Sequence, residues 1–243
     1  MQSLRALPSE ERDLPSIEQE FCDLAYMVSH DLKTGFRHAV EFSRLLCASA
    51  EEGDKNGVVE NARIVADAAA RCQNMLDQIM AYSFVQQKPL KLGRREASKL
   101  VERALGECKN GAGAPGSTVK VHVTGSVTGD EDLLASAFRA VIANAMQFAR
   151  RDRAATIEIV DERRGGSWVL RVSDDGVGLD RRYWESAFKM FWRLEPRRSS
   201  SGGGSGLTLA RRIMRRHGGD VRFIPSNEGA CVEFTLPYLG GGL

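Results

Sequence analysis

Residues 27–46 read MVSHDLKTGFRHAVEFSRLL. Ala25, Val28, Leu32, Gly35, Ala39, Phe42 and Leu46 fall alternately three and four apart, the spacing of a helical heptad seam. The turn-like EEGDKNG at 51–57 follows, and then a second seam with the same alternation: Val58, Ala62, Val65, Ala69, Cys72, Leu76 and Ile79. Two such helices predict a hairpin. Each buried Val, Leu or Phe contributes roughly 1.5–3 kcal/mol, but two narrow stripes cannot enclose those side chains on all sides. A second copy completing a four-helix bundle, and hence a homodimer, is expected. His30 is off the seam, two residues beyond Val28 and so about 200° round the helix. Lys33, Thr34 and Arg37 share its face. A core histidine is thereby disfavoured, which leaves a solvated polar face or a histidine that does chemistry.

The 243 residues are 42% hydrophobic and 27% charged, a globular composition long enough for one large or two modest domains. With 34 basic and 32 acidic residues the net charge is only +2, which supplies no general drive towards nucleic acid or an anionic membrane. Cys22, Cys47, Cys72, Cys108 and Cys231 form no CxxC pair, so reduced thiols and a cytoplasmic setting are expected, without disulfide or zinc. No run of about 18 apolar residues occurs. Direct membrane insertion is therefore not expected.

Past Lys88-Pro89 the texture changes, and the domain boundary is placed there: 1–16 as an N-terminal segment, 17–88 as the hairpin, 89–243 as a second domain. Helical pattern covers 96–108 and 131–148, and strand pattern covers 118–124, TIEIV from 156 and WVLRV from 168. An aromatic-rich helix through Phe188 and Phe191, a helix over 205–217, and strands near 220–224 and 230–236 complete the reading. Antiparallel hairpins mixed with helices predict an α+β sandwich.

Three segments of this domain bear on a nucleotide. Asn144 in VIANAMQFAR offers an amide oxygen suited to Mg²⁺, or is an ordinary surface amide on a helix. Asp174 in DDGVGLD precedes Gly176 and Gly178; its carboxylate would accept from an exocyclic amine such as that of adenine, or the segment is a plain turn. Gly202, Gly204 and Gly206 feed a helix N-terminus whose free N–H groups attract phosphate, or they form a flexible linker.

Taken together and in order, these segments resemble the transmitter core of bacterial sensor histidine kinases. SHDLKT resembles the histidine box, IANAMQF the asparagine box, DDGVGL the first glycine box, AFKMFWRL the phenylalanine box and GGGSGLTLARRIMRRHGG the second glycine box. WRLEP followed by that last box is most similar to kinases attached to phytochrome-type photoreceptors. The resemblance spans residues 18–237. It implies a dimerisation and histidine phosphotransfer hairpin followed by a Bergerat-type ATP-binding domain. By the same resemblance His30 is the phosphate acceptor, Asp31 orients it, and Thr34 positions water for dephosphorylating a partner's phosphoaspartate. Asn144 holds Mg²⁺, Asp174 reads adenine, and Gly202, Gly204, Gly206 and Leu207 close over the phosphates of ATP. Arg193, Arg197 and Arg198 either assist or form a solvated basic loop.

The implied function is an ATP-dependent kinase that phosphorylates His30 and passes the phosphate to a response-regulator receiver domain. The alternative is a non-catalytic dimeric phosphotransfer adaptor with a degenerate ATP domain. Gln147 stands where the family often has lysine, Ala140 where it often has asparagine, and Gly35 where it usually has proline. The first two changes point to weak nucleotide binding. The third points to a hinge that Gly35→Ala would stiffen while stabilising the helix. Nothing in residues 1–16 resembles a sensor, so an excised core, or a separate sensor protein, is expected.

Overall fold

The structure, a computed structural model, describes residues 17–109, 117–150, 152–194 and 204–238, of which 17–29 and 109 are described by backbone alone. Gly202, Arg197, Arg198 and the 1–16 segment lie outside the described residues, as do the side chains of Cys22, Ala25 and Val28. The chain divides into two compact units that meet in sequence at Met75 and Leu76.

Two long helices, α1 (Ile17–Glu51) and α2 (Lys55–Gln87), form the expected hairpin, and the turn between them is shorter than the 51–57 segment suggested. The seam of α1 faces inward: Leu32, Gly35, Ala39, Phe42 and Leu46 are all half-buried. Gly35 lies against α2 so closely that a Cβ there would stand 2.5 Å from Cys72 Sγ. Gly35 is thus a close-packing residue, and the expectation that alanine would simply stabilise α1 is corrected: the added methyl fits only if the Cys72 thiol moves.

The inward face of α2 also differs from the expected seam. Ala68 and Cys72 are buried, whereas Ala62, Ala69 and Leu76 are exposed. The contact stripe is rotated by about one residue, so that Cys72 and Ala68 face Gly35. A second stripe with heptad spacing remains uncovered on α2: Val59, Ala62, Ala66, Ala69, Gln73, Leu76 and Met80. On α1, Phe36 and Val40 are more than half exposed as well.

The second unit packs helices on one face of a mixed sheet. Its strands are β1 (Gly93–Glu96), β2 (Thr118–His122), β3 (Ser126–Gly129), β4 (Thr156–Arg164), β5 (Ser167–Asp174), β6 (Asp220–Ile224) and β7 (Cys231–Pro237). The main sheet runs β2-β4-β5-β7-β6, with β2 and β4 parallel and the other neighbours antiparallel. β1 pairs with β3 in a small antiparallel ribbon, a strand pair that the sequence pattern did not reveal. Three helices, α3 (Ala97–Lys109), α4 (Glu131–Gln147) and α5 (Gly206–Arg216), complete the layer. The aromatic segment is two short 3-10 turns, Arg181–Tyr183 and Ser186–Phe188, rather than one helix. Asp180 caps the first, and Phe191 turns the chain with a φ of 63°.

Period-two alternation places Ile157, Ile159, Trp168, Leu170, Val172, Val221, Phe223, Val232, Phe234 and Leu236 on the helix-facing side. Phe138 of α4 is the keystone, with its ring 5.1 Å from Phe234 edge-on and 6.0 Å from Trp168. The opposite face is polar. There the buried carboxylate of Glu233 meets Arg164, Arg171 and Arg222 at 2.8, 3.1 and 2.8 Å. Burial pushes its pKa up, but the three guanidiniums outweigh that and hold it below the usual range. The last turns of α2 belong to this unit: Val85 is in its core, and the Val85 carbonyl accepts from Arg216 of α5. Among the described residues no helix is long and apolar enough to cross a membrane.

Candidate functional site

On α1 the off-seam position of His30 leaves its side chain 70% exposed. Its Nδ1 lies 3.0 Å from Asp31 Oδ1, and Thr34 Oγ1 donates to the His30 carbonyl at 3.0 Å. A carboxylate accepting from Nδ1–H fixes the tautomer in which Nε2 carries the lone pair. An imidazole and a carboxylate placed to orient it are thus adjacent on an accessible face.

In the second unit, α4 organises three segments. Asp130 caps its N-terminus by accepting from Leu133 N at 3.1 Å, and at its far end Phe148 N donates to Asn144 O at 3.0 Å. The Phe148 carbonyl in turn accepts from Val177 N at 3.1 Å, which fixes the DDG loop against the end of α4. One turn before Asn144, a Cβ on Gly206 would lie 3.5 Å from Ala140 Cβ, so the N-terminus of α5 abuts the same helix. Asn144 therefore stands between the loop of Asp174 and the start of α5.

Asp174 ends β5, and its Oδ1 accepts from Gly176 N at 2.9 Å and Ala230 N at 3.2 Å. Burial raises its pKa, opposed by those two amides. The glycines here are steric necessities: a Cβ on Gly176 would stand 2.4 Å from the Phe148 carbonyl oxygen, and one on Gly229 2.0 Å from that of Asp174. Gly178 and Gly204 both have φ above +70°. Asp175 braces the loop from behind, with Oδ1 accepting from Thr156 N at 2.8 Å. Its backbone amides and charge outweigh burial and hold its pKa low. Arg150 donates to the Gly176 carbonyl at 3.2 Å, and Arg153 to that of Asp175 at 3.0 Å.

The structure thus gathers Asn144, Asp174, Gly176, Gly178 and Gly206 around one helix, with Leu207 packed against the core beside them. Ala140 and Gln147 occupy the same two turns of α4, half-buried and exposed respectively. Gly229, Ala230 and Phe148 escaped the sequence reading. A glycine–alanine pair opening a strand was their only local signal, and its meaning depends on contact with Asp174 some fifty residues away.

Residues 129–240 match the model of the histidine kinase-, DNA gyrase B- and HSP90-like ATPase family. The histidine kinase AdeS of Acinetobacter baumannii superposes with a TM-score of 0.58 over 84% of this chain and 98% of its own, at 16% identity. The sensor-like histidine kinase SenX3 of Mycolicibacterium smegmatis is 28% identical over 88% of this chain and 56% of its own length. The chain thus shares its fold with a solved histidine kinase and is similar in sequence to sensor-like histidine kinases, with residues 129–240 carrying the ATPase family's pattern. Phytochrome-like protein Cph1 of Synechocystis is 27% identical over 93% of this chain, which spans only 30% of that relative. An ATP-binding fold follows from the family of residues 129–240. Asn144, half-buried and one turn beyond the Ala140 that Gly206 abuts, carries an amide oxygen of the kind that suits a hard cation held mainly by nucleotide phosphates.

Proposed function

We propose that this transmitter core phosphorylates His30 from ATP and passes the phosphoryl group to an aspartate of a response-regulator receiver domain. Nε2 of His30 attacks the γ-phosphorus, the bond to the β,γ-bridging oxygen breaks, and ADP leaves. Asp31 orients the ring and stabilises the charge on Nδ1–H. Phosphoryl transfer is chiefly positioning and charge stabilisation. Asp174 would take the adenine amine, Asn144 would hold Mg²⁺, and Gly202, Gly204, Gly206 and Leu207 would border the phosphates. Thr34 would orient water when a phosphorylated regulator docks, giving an opposing phosphatase activity.

Residues 17–88 would act as the dimerisation and phosphotransfer part, and 89–243 as the catalytic part. The uncovered stripe on α2, with Phe36 and Val40 on α1, supports a homodimer: it keeps heptad spacing, is apolar at all positions but Gln73, and is not covered within its own hairpin. The activity would serve a cytoplasmic two-component system, with the stimulus supplied by a sensor domain or protein.

The observation that carries the reading is the exposed His30 with Nδ1 held by Asp31, in a chain whose other unit has the ATPase fold. Incubation with γ-labelled ATP and Mg²⁺ should place acid-labile label on the wild type and none on His30→Gln, with ATP binding equal in both. Label persisting on the variant would move the acceptor elsewhere. A wild type that neither binds nor uses ATP, yet accepts phosphate from a phosphorylated regulator, would be the adaptor instead.

A further inference from the structure

α5 carries an arginine with an unusual set of contacts. Arg211, only 15% exposed, directs Nη1 and Nη2 to the two oxygens of Glu185 at 2.7 and 3.5 Å. Its Nε donates to Asp220 Oδ1 at 3.2 Å. The guanidinium also lies over the Phe188 ring, 4.7 Å from the centroid. A planar fork that pairs with one carboxylate, donates sideways to a second and stacks on an aromatic face is a task that lysine cannot perform.

These contacts join three stretches far apart in sequence: the 3-10 segment from Arg181 to Phe188, α5, and the start of β6. The first stretch continues to Phe191, whose positive φ turns the chain so that Trp192 meets Gly204: a Cβ on Gly204 would lie 3.1 Å from the Trp192 carbonyl oxygen. Two residues on, Gly206 abuts Ala140 on α4. Arg211 follows Gly206 by five residues, about 7.5 Å along the helix axis. The guanidinium therefore ties the aromatic segment to α5 near the place where that segment also touches Gly204.

Stability alone accounts poorly for the arrangement. Glu185 is 76% exposed, and a pair with one solvated partner contributes little to folding free energy. Its geometric effect is larger, because a bidentate pair and a stacked ring together fix both the separation and the rotation of the two stretches.

We propose that Arg211 is a positioning residue for the nucleotide phosphates: by locking the 181–188 segment to α5 through Glu185 and Phe188, it sets how the helix N-terminus at Gly204–Gly206 is presented to an anionic ligand beside Asn144. The proposal rests on the ATP-dependent reading above. It concerns the phosphate end of the ligand only, since Asp174, Gly229 and Ala230 form a separate cluster on other elements.

The test compares two ligands on the intact chain. Calorimetry measures the affinities of Mg-ATP and adenosine for the wild type, Arg211→Gln, Arg211→Lys and Glu185→Gln, with thermal melts to establish folding. Arg211→Gln should lose about tenfold in Mg-ATP affinity, about 1.4 kcal/mol, and less than about twofold for adenosine. Arg211→Lys should lie between, because it restores the charge without the fork. Glu185→Gln replaces an exposed carboxylate and should fold like the wild type while reproducing part of the selective loss. Equal losses for both ligands, or no loss in Glu185→Gln and Arg211→Gln alike, would overturn the proposal and leave Arg211 a structural ion pair. A wild type that binds no Mg-ATP would instead sink the kinase reading, and the role of Arg211 with it.

Discussion

The two units of the chain are stabilised in opposite ways. In the helical hairpin few described side chains are buried: Ala68 and Cys72 are, while most seam residues are half-exposed and a largely apolar stripe on α2 is uncovered. In the α/β unit three helices and a five-stranded sheet enclose Phe138, Trp168, Ile213 and Phe234 completely. The hairpin has unspent apolar surface and an accessible histidine. The other unit has a closed core and a site built from backbone contacts. In the homodimer proposed above a second copy would cover the hairpin's apolar surface, whereas the α/β unit closes its core by itself.

The sharpest way to break this contrast is Leu76→Glu. Leu76 is exposed within the chain, so the charge should leave the hairpin intact, yet in a four-helix bundle it would be buried and unpaired at a cost of several kcal/mol. Light scattering should show loss of the dimer with nucleotide binding retained. A dimer of native stability would mean that another stripe forms the interface. The converse variant, Phe138→Ala, should lower the stability of the α/β unit by about 3–5 kcal/mol. Calorimetric melting should show that unit unfolding early while the dimer persists.

Gly35→Ala probes the hairpin's own packing. A gain of about 1 kcal/mol in helix propensity is set against overpacking on Cys72, typically 1–3 kcal/mol, so the net effect should be destabilising. Helical melts followed by circular dichroism decide the sign, and a raised midpoint would show that Cys72 Sγ rotates away freely.

Two aspartates near α4 give the smallest and most specific test. Asp130 is pushed up by burial, but the amides of Lys91 and Leu133 and the charge of Lys88 outweigh this and lower its pKa. It contributes stability that is present above its unfolded pKa and lost as pH falls through the folded one. Asp174 is raised, chiefly by burial, so its ionisation costs stability above the unfolded pKa, a cost relieved as pH falls. At pH 7 Asp130→Asn should lose about 1 kcal/mol. Asp174→Asn should gain up to about 1 kcal/mol while weakening nucleotide binding, the usual exchange of stability for function. Melts between pH 3 and 7, on the carboxylate range, should show both differences shrinking towards the acid end.

The sequence by itself determined the helical hairpin, the position of His30 off its seam, the alternation of the sheet strands and the order of the boxes, because periodicities of 3.6 and 2 and local turn chemistry are written in neighbouring residues. It misjudged the inward stripe of α2, the role of Gly35 and the form of the aromatic segment. It gave no sign of β3, Gly229 or Arg211. Those were decided only in the tertiary structure. The rotation of one helix against another depends on where a Cβ is missing opposite a cysteine thirty-seven positions away. The Asp174 loop depends on a carbonyl from α4 and an amide from β6–β7. Arg211 has meaning only once Glu185, Phe188 and Asp220 surround it. Contacts between residues distant in sequence carry no local period, so packing alone assigns them.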